Sequence, residues 1–401
     1  MGRLRAKRYS AAMIPSYVSA ARQFLMYLTR SGICVRDARP RHLAGFLDEK
    51  LQRSKRRLGR SPIDLRRWPR DYTAPIHQLL RMVHAAWPPP EPPTNESERY
   101  REQLCESYSS WLTNIHGLSE ATLHKNLAAA RRFLDWLQER RGPNAVGQLS
   151  VSDLDAYLAW RMPKLRRATR HGVSSCLRSF LRYLYSAKFI ERDMSLAVSG
   201  PILYQFDDIP RAFTEEQIAL LLTTSGRDRK AGGLRDHALL LLLASYGLRA
   251  GEVCGLRLED IDWKGECLRV RQSKSGRESF LPLLPRVGDA IATYLRKARP
   301  PSERREVFLC LRAPFGPLNA SSLDGIIYTR LLKAGVAVKG RRGSHAFRFA
   351  HAKSLLRANV SLKSIGDLLG RRSVKTTGIY LQVATDELRS ISLDLPREED
   401  I

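Results

Sequence analysis

The sequence predicts a mainly α protein: two small helical modules in tandem, then a mostly helical domain that carries a small antiparallel sheet. Three observations carry this. Apolar residues recur at helical spacing over most of the 401 residues, the period changes to two only around 267–281, and two stretches of proline and turn-forming residues divide the chain. The division expected is a first module over 1–87, a linker over 88–95, a second module over 96–199, a linker over 200–212 and a last domain over 213–401.

From Tyr9 to about Gln52 the pattern is that of amphipathic helices. Tyr17, Ala20, Ala21, Phe24, Leu25 and Leu28 form one face, and Leu43, Phe46 and Leu47 a second. The pattern returns about a hundred residues later: residues 20–28 match 129–137, and 42–47 match 153–158, which points to a degenerate internal duplication. The first module continues through 76–84 and stops at Pro88-Pro-Pro-Glu-Pro-Pro93, a run that cannot be helix and favours an extended linker.

In the second module Ser150, with Asp153 three residues on, caps a helix over 154–158. Its last helix is expected at about 173–186, burying Val173, Leu177, Phe180, Leu181 and Leu184 while Arg178 and Arg182 point elsewhere. With Lys164, Arg166, Arg167, Arg170 and His171 just before it, these arginines make a basic strip suited to a phosphate backbone. Beyond the second linker, Thr214-Glu-Glu-Gln217 is a capping box that opens the last domain. Helices run to about Leu256. Strands over 267–271 and 278–281 then flank Ser273-Lys-Ser-Gly276 as a hairpin, and helices resume beyond Pro285.

Composition narrows the partner. Lysine and arginine number 68 against 40 acidic residues, a formal charge of +28, and the excess is spread along the chain, so a polyanion, duplex nucleic acid above all, is the natural counterpart. The six cysteines are scattered without metal-finger spacing, which argues for a reducing compartment and against structural zinc. No apolar core follows the basic start, and the longest apolar run, 238–244, is too short to span a bilayer. A cytoplasmic protein is expected, on the nucleoid when bound to DNA.

Four elements carry chemistry. They are Tyr246-Gly-Leu-Arg-Ala-Gly-Glu252, Lys274 at the hairpin tip, His345-Ala-Phe-Arg348, and Leu368-Leu-Gly370 followed by Thr376-Thr-Gly-Ile-Tyr380. Each alone is ordinary: an Arg–Glu pair in a core, a solvated turn lysine, a chance His and Arg on one helix face, a packed tyrosine. In order and approximate spacing, however, Arg249, Lys274, His345, Arg348 and Tyr380 resemble the signature of the tyrosine recombinase (phage integrase) family, over roughly Glu98 to Val383.

That resemblance implies the tyrosine recombinase catalytic fold and a transesterification of DNA. Arg249 and Arg348 would clamp the non-bridging oxygens, where negative charge develops. Tyr380 would attack, with His345 as general base and Lys274 as the acid for the leaving 5′-oxygen. Glu252 would orient Arg249 or His345. A phosphotyrosyl link conserves the bond, and the sequence carries neither a Walker-type loop nor a carboxylate cluster for two magnesium ions, so neither ATP nor a metal cofactor is expected. The resemblance further implies double-stranded DNA with specific sites as partner, a homo-tetramer acting alone or with sister recombinases, and a role in moving a mobile element, with residues 384–395 docking on a neighbour. One position departs: after Leu-Leu-Gly370 the family carries histidine or tryptophan, and here stands Arg371, which can donate to a phosphate but cannot shuttle a proton at neutral pH. A type IB topoisomerase and a non-catalytic DNA-binding paralogue remain as alternatives.

Overall fold

The computed structural model describes residues 1–59, 68–84, 87–89, 93, 95–143, 145–202, 212–272, 277–337 and 343–370. Its contacts divide the chain into two compact units: Phe24–Tyr204, and Met1–Gln23 together with Gln205–Ile401. It is mostly helical with one small antiparallel sheet, as the patterning predicts.

The short helix α1 (Gly2–Ala6) belongs with the second of these, where Arg8 Nη1 donates to the Pro301 carbonyl at 3.0 Å. Helix α2 (Met13–Arg30) runs from one unit into the other, and α3 (Pro40–Leu58) and α4 (Arg70–Val83) follow. Phe24, Leu28, Leu43, Phe46, Ile76 and Leu80 form their core. Leu25, expected in that core, is 37 % exposed. A helix turns about 100° per residue, so the neighbour of Phe24 leaves a stripe as narrow as the one α2 buries.

Helices α5 (Glu96–His116), α6 (Glu120–Arg141), α7 (Val151–Arg161) and α8 (Arg167–Ser186) enclose a second core that includes Tyr108, Phe133, Tyr157 and Phe180. The cap on α7 forms as expected: the Ser150 N–H donates to Asp153 Oδ2 at 3.0 Å, and the Asp153 N–H to Ser150 Oγ at 3.4 Å. Such a cap contributes about 1 kcal/mol. Helix α8 begins at Arg167 rather than near Val173, because its first turns, Arg-Ala-Thr-Arg-His-Gly, hold no apolar period to mark them. Nor does Arg178 turn away. Its Nε and Nη2 donate to the Val198 carbonyl at 3.2 and 2.8 Å, strapping the chain after α8 onto the helix.

In the other unit come α9 (Glu215–Gly226), α10 (Ala231–Tyr246) and α11 (Ala250–Cys254), the strands β1 (Ile261–Asp262), β2 (Cys267–Arg271) and β3 (Glu278–Pro282), then α12 (Pro285–Lys297), α13 (Ala320–Lys333), α14 (Ser344–Arg357) and α15 (Leu362–Leu368). The Thr214 box is present: its N–H donates to Gln217 Oε1 and its Oγ1 accepts from the Gln217 N–H. The apolar run on α10 is buried on every side, because α9, α12 and α14 all pack on it. Among the described residues no helix is long and apolar enough to cross a membrane. The sheet has the order β1-β2-β3, antiparallel throughout, with Val270 opposite Ser279. Strand β1 was not expected, two residues being too few to show alternation. Buried Asp260 accepts from Arg269 and Arg271, which share a face of β2. Buried Arg330 on α13 donates to Asp236 at 2.8 Å and Asp228 at 2.7 Å, fixing α13 to α10.

Candidate active site

The site begins where α10 ends. Tyr246 Oη donates to the Pro282 carbonyl at 2.8 Å and accepts from the Leu284 N–H at 3.0 Å, which pins the end of the helix to β3. Gly247 closes the helix with φ +60°, a left-handed turn that side chains other than glycine adopt only under strain. The chain reverses, and Arg249 becomes the N-cap of α11. Glu252, its side chain 3 % exposed, accepts from the Arg249 N–H at 2.8 Å and from Arg249 Nη1 at 2.7 Å. Backbone and guanidinium of Arg249 are thus held by one buried carboxylate. Glu252 serves Arg249, one of the two partners expected for it.

Arg348 reaches the same place from α14. Buried at 4 % exposure, it donates through Nη1 to the Gly247 carbonyl at 2.9 Å and through Nη2 to the Leu369 carbonyl. Arg249 Nη2 donates to the next carbonyl, Gly370, at 3.3 Å. Two guanidiniums 99 residues apart in the chain therefore meet along one seam of backbone made by Gly247, Leu369 and Gly370. Planar and permanently charged, with donors in fixed directions and a poorly solvated setting, they are an arrangement that can hold an anion.

His351, one turn beyond Arg348, fills the space beneath Gly247: a Cβ on that glycine would lie 3.0 Å from the imidazole Cδ2 and 3.2 Å from Leu369 Cδ2. Burial, then the Arg348 charge, lowers its pKa against a smaller raising effect of the Ala244 backbone, and its Nε2 is buried without a hydrogen-bond partner among the described residues. His345 stands exposed in the first turn of α14 while Arg348 is buried, so the two share a helix but not an environment. Asp324 on α13 anchors that first turn by accepting from the Ser344 N–H at 3.0 Å. A carboxylate there suits the helix dipole.

Lys274, Arg371 and Tyr380 lie outside the described residues. The base of the Lys274 hairpin is described. The Gln272 N–H donates to the Arg277 carbonyl at 2.8 Å, and the Gln272 side chain lies against Gly370, the residue before Arg371. Of the basic strip, Lys164, Arg166, Arg167 and Arg182 are exposed. Arg167 donates to Ile202 at 2.9 Å, Arg170 to Leu165 at 2.8 Å and Pro163 at 3.3 Å, and Arg178 is the strap already described. Sequence reading missed Gln272, His351 and the three carbonyls. Only His351 left a signal, its spacing of three from Arg348. Among the described residues no group of three or more His, Cys, Asp or Glu is placed to hold a metal ion.

The domain is mostly helical with a three-stranded sheet, and it sets one arginine at the cap of the helix after a glycine turn and a second on a later helix, in the order that the tyrosine recombinase resemblance implies. The phage integrase family profile matches residues 211–387, and the phage integrase N-terminal SAM-like domain matches 105–188. An integrase/recombinase of Sinorhizobium fredii, y4rA, is 34 % identical over 97 % of this chain and 91 % of its own length; a second from that organism, y4gC, is 49 % identical over 48 % of this chain and 98 % of its own. Tyrosine recombinase XerC of Rhodospirillum centenum is 31 % identical over 72 % of this chain and 85 % of its own. The chain belongs to the phage integrase family. The fold is also that of the XerH site-specific recombinase solved with its palindromic difH substrate: TM-score 0.56 at 15 % identity, over 73 % of this chain and 88 % of that one.

Proposed function

We propose that this recombinase cuts and rejoins duplex DNA at specific sites through a 3′-phosphotyrosyl intermediate. The observation that carries the reading is the meeting of Arg249 and Arg348 on the Gly247–Gly370 seam. A phosphodiester docked there has its non-bridging oxygens held by both guanidiniums, and phosphoryl transfer is chiefly such positioning and electrostatics. Tyr380 Oη attacks phosphorus as His345 takes the phenol proton. The bond to the 5′-oxygen breaks, and Lys274 supplies the proton that makes it a hydroxyl. The reverse attack by a 5′-hydroxyl rejoins the strand, so the cycle consumes no ATP and calls for no metal.

Residues 96–199 act as the core-binding module, 213–401 as the catalytic domain and 1–87 as an additional module, with 88–95 and 200–212 as linkers. Lys164, Arg166, Arg167, Arg170, Arg178 and Arg182 belong to the DNA-facing side of the core-binding module. The enzyme works as a tetramer on two sites, alone or with sister recombinases, to move a mobile element, and resides in the cytoplasm on the nucleoid. The charge of +28 supports a DNA partner, as does the likeness of fold to the XerH recombinase solved with its palindromic difH substrate.

The test is a nicked suicide substrate carrying inverted repeats from beside the gene. A denaturation-resistant protein–DNA adduct that Tyr380→Phe abolishes is expected. No adduct on any flanking site overturns the reading in favour of a non-catalytic DNA-binding protein, and relaxation of any supercoiled plasmid without a site favours a topoisomerase. Arg371→Ala is expected to slow cleavage but leave activity; a loss as complete as that of Tyr380→Phe would make Arg371 indispensable.

A further inference from the structure

The base of the Lys274 hairpin meets the backbone seam that holds the two arginines, and one side chain makes the joint. Strand β2 is fixed first. Arg271, its last residue, donates to buried Asp260 at 2.9 Å and to Glu278 on β3 at 3.2 Å. Gln272 follows, half-buried. Its N–H donates to the Arg277 carbonyl at 2.8 Å and its Nε2 to Ser279 Oγ at 3.2 Å, so backbone and side chain both bridge to the β3 side. The amide is therefore part of the hairpin base and moves with it.

That amide lies on Gly370. A Cβ there would stand 2.5 Å from Gln272 Cδ and 2.7 Å from its Oε1, closer than a side chain allows, and Gly370 has φ +59°, so the close approach and the left-handed turn both call for glycine. The Gly370 carbonyl accepts from Arg249 at 3.3 Å, and the carbonyl before it, that of Leu369, accepts from Arg348. Filling the space on Gly370 does not by itself ask for glutamine, since an apolar side chain of that length would serve. The hydrogen bond to Ser279 also fixes the direction of the amide. Lys274 stands two residues beyond Gln272, and two residues span at most about 7 Å, so the place of Gln272 bounds that of the lysine.

We infer that Gln272 is a positioning residue for cleavage, setting the Lys274 hairpin in register with the Arg249–Arg348 seam through Gly370. This rests on the reading that Lys274 protonates the leaving 5′-oxygen. Gln272 acts through the lysine: with the hairpin base seated on Gly370, the ammonium proton is delivered to the oxygen whose bond to phosphorus breaks as Tyr380 attacks. A misplacement of about 1 Å in such a group is enough to cost about 10²-fold in rate.

The test uses the full chain and two forms of the suicide substrate that differ only at the scissile phosphate, located beforehand from the wild-type adduct. One has the ordinary 5′-oxygen and the other sulfur in its place. On the second, attack by Tyr380 Oη breaks a phosphorus–sulfur bond, and the sulfur leaves with the electron pair as a thiolate, which needs no proton because thiols are far more acidic than alcohols. On the oxygen substrate Lys274→Ala is expected to slow cleavage by about 10²–10⁴-fold and Gln272→Ala by about 10²-fold. On the sulfur substrate both are expected to cleave close to the wild-type rate. Gln272→Asn, which keeps an amide but reaches one methylene less far, is expected to fall between, and it supplies the same comparison should circular dichroism show the alanine variant unfolded. A folded Gln272 variant that is slow on both substrates would assign Gln272 to the support of the arginines and overturn the inference, as would wild-type cleavage of the oxygen substrate. If sulfur fails to rescue Lys274→Ala itself, the acid role of the lysine falls and this inference with it. A wild-type protein that forms no adduct overturns the cleavage reading.

Discussion

At the scale of single residues Arg249 and Arg348 are held by two different kinds of support, a carboxylate and backbone carbonyls. Arg249 is held by a carboxylate, so Glu252→Gln keeps the shape and removes the charge that orients the guanidinium. Cleavage of the suicide substrate is expected to slow by about 10–100-fold, the usual cost of losing an orienting partner, while affinity for DNA stays near wild type. Equal losses in binding and cleavage would show that Glu252 supports the fold instead. On the proposed mechanism Arg348 also donates to the developing charge, so Arg348→Lys is expected to cost on the order of 10²–10³ in cleavage rate, since an ammonium cannot reach both carbonyl partners and a phosphate in one plane.

His351 gives the same site a pH dependence. Its folded pKa lies below the ordinary value, from burial first and the Arg348 charge second. Between the folded and unfolded values the unfolded chain holds more protons, so stability rises with pH. It is fully present above about 6.5 and is lost as pH falls through the folded value. His237, lowered by burial and then by Arg286, Arg229 and Arg330, adds to the slope with the same sign. The melting temperature is expected to fall on acidification below that range, and His351→Leu to flatten the fall. An unchanged slope in that variant would remove His351 from the account.

At the scale of elements, Gly247 joins α10, α11 and α14 at one carbonyl. Gly247→Ala must hold a left-handed φ and press a methyl against His351 and Leu369. A destabilisation of roughly 1–3 kcal/mol is expected from strain and overpacking, read as a lower denaturant midpoint, together with slower cleavage because the same carbonyl holds Arg348. Much at this scale was legible in the sequence. The boxes at Thr214 and Ser150, the Arg249–Glu252 pair and the two longer strands all rest on partners within a few residues, which is the range over which spacing constrains geometry. What was illegible has other causes. The start of α8 has no apolar residue to show a period. Leu25 fits a helical face yet finds no burial. The acceptors for Arg249 and Arg348 are backbone carbonyls up to 121 residues away, and carbonyls carry no sequence identity. The roles of Lys274 and Tyr380 come from the ordered resemblance alone.

At the scale of the whole molecule the question is whether the two halves of the chemistry act within one chain or between chains. Gly370, whose carbonyl receives Arg249, stands ten residues before Tyr380. Ten residues reach at most about 35 Å when fully extended, so the tether easily allows Tyr380 to serve the clamp of its own chain. Within that reach the chain itself keeps the tyrosine near its own clamp, whereas the tyrosine of a second protomer is there only if assembly fixes it. Attack in cis is therefore expected. It is checked by mixing Tyr380→Phe, which keeps the clamp, with Arg249→Ala, which keeps the nucleophile, on a suicide substrate that two protomers occupy. If each clamp uses its own tyrosine, the mixture forms no more adduct than the two variants do separately. Recovery of adduct in the mixture alone would mean that Tyr380 crosses to a neighbour, and that the site is complete only in the assembly.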